Sequence, residues 1–338
     1  MKRIETKRIG VVGLGAMGSL FFQRISINSP RSIEIFPISR TKTKRIPILS
    51  EQLSQFNPKL NTNISLYQPH ELTEQLSQSN PKLNTNISVY QPHELTELDI
   101  AVILTKAFNI SDLAKSISWD RFLSKNGLVV VLSNGYGHDL TLNQYLSKSN
   151  RRAIQGTTSI PSTIRNNLIY SSLEGDTYLP LEQLNQEQID HLLFLNNLFN
   201  RASLKSQIVQ SSKDIILRKV AVNAVINGLT SIWRITNGKL LETPYLGLFD
   251  EFIDEITTIV EDDIEKQELL KQSIVKVARQ TKDNTSSMLA DIIGQRRTEV
   301  DYIFPILLQM GETKGIPCQY LKIIYRLIIG IENTYRSI

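Results

Sequence analysis

Three polar side chains recur at a spacing of four within an otherwise apolar segment, residues 214–231. They are Lys219, Asn223 and Asn227, and this spacing places them in one row along a helix. The apolar residues on all other sides predict that the helix is buried. Because an unsatisfied buried polar group costs about 1–3 kcal/mol, we expect the row to line a cavity for a polar ligand. The alternative is a lysine that reaches solvent beside two asparagines with structural hydrogen bonds.

A second polar set follows at spacings of three and four, which predicts another common helix face. Its members are Asn284, Ser287 and Asp291. The next predicted helix begins near Glu299, and if the two helices pack together, Glu299 and Lys219 face one cavity. A cation, a carboxylate and several amides suit a small hydroxylated carboxylate. The alternative is that Glu299 or Asp301 only caps a helix N-terminus.

A glycine-rich turn lies near the N-terminus, between a predicted strand and a predicted helix. It reads Gly13-Leu14-Gly15-Ala16-Met17-Gly18. In such a turn the first glycine permits the tight bend, the second lets the backbone approach a pyrophosphate, and the third lets the helix pack on the strand. Helix N-terminal amides then bind the phosphates. The pattern therefore predicts a dinucleotide site, the alternative being a glycine-rich turn without a ligand.

The end of the second predicted strand, residues 32–38, indicates which dinucleotide is bound. An NAD-specific site would carry an acidic residue there, whereas this chain has Arg40, followed by Lys42, Lys44 and Arg45. A guanidinium can pair with a 2′-phosphate that a carboxylate would repel. This favours NADPH/NADP+, the alternative being that these are solvated surface cations.

Two further polar residues follow predicted strands. Lys106 comes after residues 100–104, and Asn134 after residues 128–132. Ligands of parallel sheets sit beyond the carboxyl ends of the strands, so both side chains are expected near the cofactor. Taken alone, each is more often a plain loop residue.

The elements that position these residues alternate between strand and helix as far as residue 186 and are almost entirely helical afterwards. This order predicts an α/β protein with a Rossmann-type, doubly wound parallel sheet, followed by an all-α C-terminal domain. We expect a strand at residues 207–210 to finish the sheet. The predicted domains are residues 1–210, binding NADP, and residues 211–338, binding substrate and closing over it.

A tandem duplication interrupts the first domain. Residues 51–73 are repeated at 74–96, with changes only where Phe56 and Leu66 correspond to Ser79 and Val89. We expect one copy to supply a strand at residues 86–90 and the other to be a surface insertion, which loops tolerate at small entropic cost.

The composition narrows the class of protein. With 338 residues, two domains are expected, and the net charge of +5 is spread along the chain. This pattern suits a small anionic ligand better than nucleic acid. A single cysteine, scattered histidines and the lack of a signal-peptide pattern or a run of about 20 apolar residues predict a cytoplasmic protein without metal, disulfide or membrane partner.

Taken together, these motifs resemble those of the ketopantoate reductase (2-dehydropantoate 2-reductase) family over most of the chain outside the duplication. Besides the glycine turn, the matching segments are Thr105-Lys106-Ala107, residues 134–137, 218–223, 227–230 and 237–238, and residues 284–303 with Ser287-Met288 and Thr298-Glu299-Val300-Asp301. The resemblance implies reduction of 2-dehydropantoate to pantoate by NADPH, a step toward pantothenate and coenzyme A.

The resemblance also implies residue roles. Lys219 matches the general acid, and Glu299 the residue that holds the substrate hydroxyl and orients the ammonium. Matches to substrate-binding positions are Asn223, Asn227, Asn237, Asn284 and Ser287; matches to cofactor-lining positions are Arg40, Lys106, Asn134 and Glu299, with Asn134 also reaching the substrate.

Two other functions stay open from the sequence. One is a related reductase of another 2-keto or 3-hydroxy acid, and the other is a non-catalytic NADP-binding sensor. The apolar segment 320–331 packs either internally or between the subunits of a homodimer.

Overall fold

The computed structural model describes residues 6–30, 32–40, 46–50, 88–146 and 150–336. Most of the duplication lies outside these residues, as do Lys42, Lys44 and Arg45. The chain divides into two compact units. The first unit consists of Met1–Ser133 and Gly137–Ser212, and the second of Asn134–Tyr136 and Lys213–Ile338.

The first unit is built on a parallel sheet. The strands of this unit are β1 (Lys7–Val12), β2 (Ile33–Ile38), β3 (Ile48–Leu49), β4 (Leu98–Ile103), β5 (Leu123–Val131), β6 (Arg152–Gln155), β7 (Thr157–Thr158), β8 (Thr163–Arg165), β9 (Leu168–Tyr170), β10 (Thr177–Pro180) and β11 (Ser206–Val209). Five of them pair side by side in the order β2-β1-β4-β5-β6, all parallel. Its helices are α1 (Ala16–Asn28), α2 (Ile110–Ser116), α3 (Trp119–Phe122), α4 (His138–Leu146) and α5 (Gln186–Arg201).

Helices cover both faces of this sheet. Because successive strand residues point to opposite faces, neighbouring residues of one strand pack against different helices. On β5, Val130 joins a buried cluster that includes residues of α1 and α5. Its neighbours Val129 and Val131 join a different cluster, which includes residues of α2 and α4. The predicted doubly wound parallel sheet is confirmed.

Three details differ from the prediction. The strand expected to finish the main sheet, β11, pairs instead with β10 in a separate sheet, β11-β10-β7. The chain leaves the main sheet at Gly156 and bends so that β7 lies against β10. This close approach requires a glycine, because a Cβ here would lie 2.4 Å from the Tyr178 carbonyl oxygen. The apolar pattern from Ile110 to Phe122 predicts one helix, whereas the chain forms two there, α2 and α3, because the first ends at Ser116.

The third difference concerns the strand predicted at residues 86–90, of which residues 86 and 87 lie outside the described ranges. Tyr90 alone forms a bridge, beside Ile38. Its amide donates to the Pro37 carbonyl at 3.0 Å, and its carbonyl accepts from Ser39 N at 2.9 Å. Tyr90 thereby covers the carboxyl end of β2, at the edge of the sheet.

The second unit is helical. Its helices are α6 (Lys213–Trp233), α7 (Leu246–Val260), α8 (Ile264–Gln280), α9 (Ser287–Ile293), α10 (Val300–Thr313) and α11 (Gln319–Arg336). The helix α6 is long and apolar enough to cross a membrane by length and composition, yet 67% of its apolar window is buried. It contacts every other helix of this unit. The apolar segment around the polar row is therefore the central core helix of the unit, as predicted.

Candidate active site

Lys219 lies on α6 with its side chain partly buried. Burial of the ammonium group lowers the pKa of Lys219 to about 8, and the nearby Glu299 carboxylate opposes this shift. A lysine whose pKa lies this close to neutrality can both hold and release a proton at physiological pH. Lys219 is thus chemically suited to serve as a general acid.

Glu299 is buried, with 5% of its surface exposed, and directly precedes α10. Its side chain makes no capping hydrogen bond to this helix. Instead, the amide Nδ2 of Asn134 donates to Glu299 Oε2 at 3.0 Å. The capping alternative therefore does not describe Glu299. Asp301 accepts a hydrogen bond from the Tyr325 hydroxyl at 2.9 Å.

The rest of the polar row follows Lys219 along α6. Asn223 is partly buried and Asn227 is buried, and Asn227 Nδ2 donates to Ser287 Oγ at 3.5 Å. Next to this contact, the hydroxyls of Thr230 and Ser286 lie 2.8 Å apart, and Ser286 caps α9 by accepting from Leu289 N. These contacts fix the start of α9, with Ser287, beside the polar row.

Asn237 and Asn284 meet through their backbones, since Asn237 N donates to the Asn284 carbonyl at 3.0 Å. Asn237 is buried, and its Nδ2 donates to Thr281 Oγ1 at 2.9 Å. Its Oδ1 is buried and has no hydrogen-bond partner among the described residues. Thr281, to which no sequence pattern points, therefore orients the Asn237 amide so that its acceptor oxygen stays available.

The helix face predicted for Asn284, Ser287 and Asp291 is formed only by Ser287 and Asp291, which lie four residues apart on α9. Because α9 begins only at Ser287, Asn284 is exposed in the turn before it. Asp291 is buried and accepts from Arg296 Nε at 3.0 Å. A spacing of three residues therefore does not by itself place Asn284 on the helix, because the chain still turns at this position.

The glycine turn between β1 and α1 has the geometry of a phosphate cradle. Gly13 has a φ of +97°, and a Cβ on Gly18 would lie 1.8 Å from the Gly13 carbonyl oxygen. A Cβ on Gly15, in contrast, would meet none of the described residues beyond its chain neighbours within 4 Å. The residue before α1 is Gly15, which has no side chain to cap the helix. The close packing at Gly13 and Gly18 and the open space at Gly15 fit a dinucleotide pyrophosphate.

The remaining residues of the turn are Leu14, which is buried, and Ala16 and Met17, which are partly exposed at the start of α1.

Arg40 and Lys106 are linked through Asn109 at the carboxyl edge of the parallel sheet. The exposed Arg40 guanidinium donates to Asn109 Oδ1 at 2.5 Å. Lys106 directly precedes the short 3-10 helix Ala107–Asn109. Asn109 was not predicted, because nothing in the local sequence pairs it with a residue 69 positions away.

Comparisons with known proteins cover both units. A family model described as ketopantoate reductase PanE/ApbA matches residues 9–181, and one for the C-terminal region of this family matches residues 212–332. A 2-dehydropantoate 2-reductase of Archaeoglobus fulgidus is 26% identical over 247 residues, 70% of this chain and 78% of the relative.

Two solved structures share the fold. One is D-mandelate dehydrogenase with NADH and anilino(oxo)acetate, with a TM-score of 0.70, 18% identity and coverage of 97% of this chain and 99% of that one. The other is a dimeric ketopantoate reductase of Staphylococcus aureus, with a TM-score of 0.70, 15% identity and coverage of 97% and 99%. Since the two family models together span most of its length, the chain belongs to the ketopantoate reductase family.

Proposed function

We propose that this protein reduces 2-dehydropantoate to pantoate with NADPH, as a step of pantothenate and coenzyme A biosynthesis. The observation that carries the proposal is the pair on the helical unit: Lys219, whose pKa burial lowers to about 8, and Glu299, buried and hydrogen-bonded to Asn134. Membership of the family supports the same reaction.

In this proposal, residues 1–210 bind the cofactor and residues 211–338 bind the substrate. The pyrophosphate is held by the turn from Gly13 to Gly18, where the open face of Gly15 leaves room for it. Arg40 pairs with the 2′-phosphate, and Lys106 adds a second positive charge to the cofactor site. Both cations favour NADPH over NADH.

Bound NADPH supplies a hydride to the C2 carbonyl of the keto acid. The protonated Lys219 donates a hydrogen bond to the ketone oxygen, stabilises the negative charge that develops on it, and gives it the proton. Burial makes the release of this proton easier, since it disfavours the charged amine. Glu299 limits that effect and keeps a useful fraction of Lys219 protonated.

The amides and the hydroxyl around Lys219 bind the substrate's polar groups. Asn223, Asn227 and Ser287 offer donors to its carboxylate. The buried Oδ1 of Asn237 and the Glu299 carboxylate accept from its hydroxyl, with Asn284 and Asn134 bordering the same site. An acceptor without a partner is costly when buried, so binding a hydroxyl group there is favourable.

We place the reaction in the cytoplasm, since the chain has a single cysteine, and we propose a small 2-keto acid as its ligand. A homodimer is the oligomer proposed for the protein, in line with the dimeric Staphylococcus aureus relative.

A substrate panel tests the proposal. Purified protein is mixed with NADPH or NADH and with ketopantoate or another 2-keto acid, including a phenyl-substituted one because a mandelate dehydrogenase shares the fold. We expect the highest kcat/KM with ketopantoate and NADPH. A preference for another acid would favour the related-reductase alternative, and tight NADPH binding without any turnover would favour the sensor alternative.

A further inference from the structure

The residue before Glu299 is tied to the last turns of the chain. Thr298, with 1% of its surface exposed, donates twice to one carboxylate oxygen, Glu332 Oε2. The backbone amide of Thr298 lies 3.0 Å from this oxygen and the side-chain hydroxyl 2.6 Å from it. These two bonds fix both the backbone and the side-chain rotamer of Thr298.

Glu332 is a buried carboxylate, with 3% of its surface exposed, on α11. Its second oxygen, Oε1, pairs with the Arg336 guanidinium at 2.7 Å, one turn further along the helix. Burying a carboxylate is costly unless it is paired and hydrogen-bonded. Here the donors at both oxygens offset that cost, so the carboxylate is held firmly in one orientation.

The same contacts determine how the chain enters α10. The Thr298 hydroxyl also accepts from Val300 N at 3.3 Å, and the Glu299 carbonyl accepts from Tyr302 N at 2.9 Å. Glu299 therefore lies between two anchored residues, while its own side chain makes no capping hydrogen bond to the helix. The backbone is held from α11, which leaves the carboxylate of Glu299 for Asn134 and Lys219.

We propose that Thr298 and Glu332 are positioning residues for the reduction, because they hold the Glu299 carboxylate at its place beside Lys219. The inference rests on the proposed function, in which Glu299 acts in the reaction. The end of the C-terminal helix thereby becomes part of the catalytic apparatus, although neither residue touches the substrate.

The decisive variant is Thr298→Val, which removes the hydroxyl and keeps the side-chain shape. Displacement of Glu299 should lower kcat by roughly ten- to a hundredfold, since small misplacements of catalytic groups have effects of this size. It should also move the alkaline limb of the pH profile below about 8, because Glu299 no longer raises the pKa of Lys219 as strongly. Thr298→Ser retains the hydroxyl and is expected to restore both readouts.

The matched control is Thr257→Val, which removes a buried hydroxyl from the same unit, on α7. Its pH limb should stay where the wild type has it. A folded Thr298→Val protein with wild-type kcat and pH limb overturns the proposal. A lower kcat with an unmoved limb, and no rescue by serine, also overturns it and indicates a purely structural role.

If Thr298→Val does not fold, Glu332→Gln provides the same test. The glutamine oxygen can still accept from Thr298, but the pair with Arg336 loses its charge, so the limb should move in the same direction by a smaller amount. A folded Glu332→Gln protein with wild-type kcat and an unmoved limb overturns the proposal that Thr298 and Glu332 position Glu299. Inactivity of the wild-type protein with ketopantoate would contradict the proposed function itself.

Discussion

At the scale of single residues, the role proposed for Lys219 makes the reaction depend on pH. In this proposal reduction needs the protonated amine, and burial lowers the pKa of Lys219 from 10.5 to about 8. The protonated fraction is therefore nearly complete below pH 7 and falls about tenfold per unit well above pH 8. We predict that kcat/KM for ketopantoate declines along this limb, as measured in a pH–rate profile.

The control for this prediction is Lys219→Arg. A guanidinium stays protonated throughout the measurable range, so any activity that remains should lack the limb near pH 8. A wild-type profile that falls only near pH 10 would mean that the acid in the reaction is not this buried lysine.

At the same scale, we propose that Arg40 determines whether NADPH or NADH is preferred. We predict that Arg40→Ala weakens NADPH binding by about tenfold or more and leaves NADH binding unchanged, because a charge-assisted hydrogen bond contributes about 1.5–3 kcal/mol. Titration of each cofactor gives the two dissociation constants. The exposed Arg165 on β8 is the matched control, and an equal loss for both cofactors would rule out a role specific to the 2′-phosphate.

Residue types and local spacing allowed part of the site to be predicted. The row of Lys219, Asn223 and Asn227 follows from helical periodicity alone, and α6 bears it as expected. Contacts such as that between Thr298 and Glu332 leave no periodic signal, because their partners lie 34 residues apart. For Asn284 the opposite holds: its spacing from Ser287 fits a helix, but the helix begins only at Ser287.

At the scale of elements, we expect two glycines of the β1–α1 turn to have different roles: Gly18 serves the packing of the helix, and Gly15 serves ligand binding. We predict that Gly18→Ala lowers the thermal midpoint, because its Cβ would lie 1.8 Å from a backbone oxygen. Gly15→Ala should keep the wild-type midpoint, since its Cβ would contact none of the described residues beyond its chain neighbours within 4 Å. It should lose NADPH affinity, because the methyl group occupies the pyrophosphate's space.

Thermal melts and NADPH titrations distinguish the two glycines. The control is Gly330→Ala on α11, whose added Cβ would also meet none of the described residues beyond its own helix and chain neighbours within 4 Å. It should leave the cofactor affinity unchanged and raise the midpoint only slightly, because alanine favours the helix more than glycine does. NADPH affinity that survives in a folded Gly15→Ala protein would contradict the cradle.

The main parallel sheet can be predicted from the sequence, whereas the separate small sheet cannot. Alternating strands and helices were sufficient to predict a parallel, doubly wound sheet, because short crossovers leave few other arrangements. The separate sheet β11-β10-β7 was not predicted, since it depends on the bend at Gly156 and on pairing between β7 and β10. A sequence pattern shows that a strand exists but not which edge it joins.

At the scale of the whole molecule, the duplication allows a deletion test. Removing residues 51–73 or residues 74–96 leaves nearly the same chain, with one copy in place. We predict that each deletion retains kcat/KM within about twofold and the thermal midpoint within a few degrees. The reason is that one copy suffices to supply Tyr90, or its equivalent, beside Ile38. A large loss of activity in both deletions would show that the second copy has a function.

The central claim is that Lys219 protonates the ketone while NADPH reduces it. The most direct measurement follows NADPH consumption and pantoate formation with ketopantoate at neutral pH, for the wild-type protein and for Lys219→Ala. We predict one pantoate per NADPH in the wild type, and a rate lower by about 10²–10⁴-fold in the variant with unchanged NADPH binding. A variant that turns over at the wild-type rate, or a wild-type protein that forms no pantoate, would contradict the account.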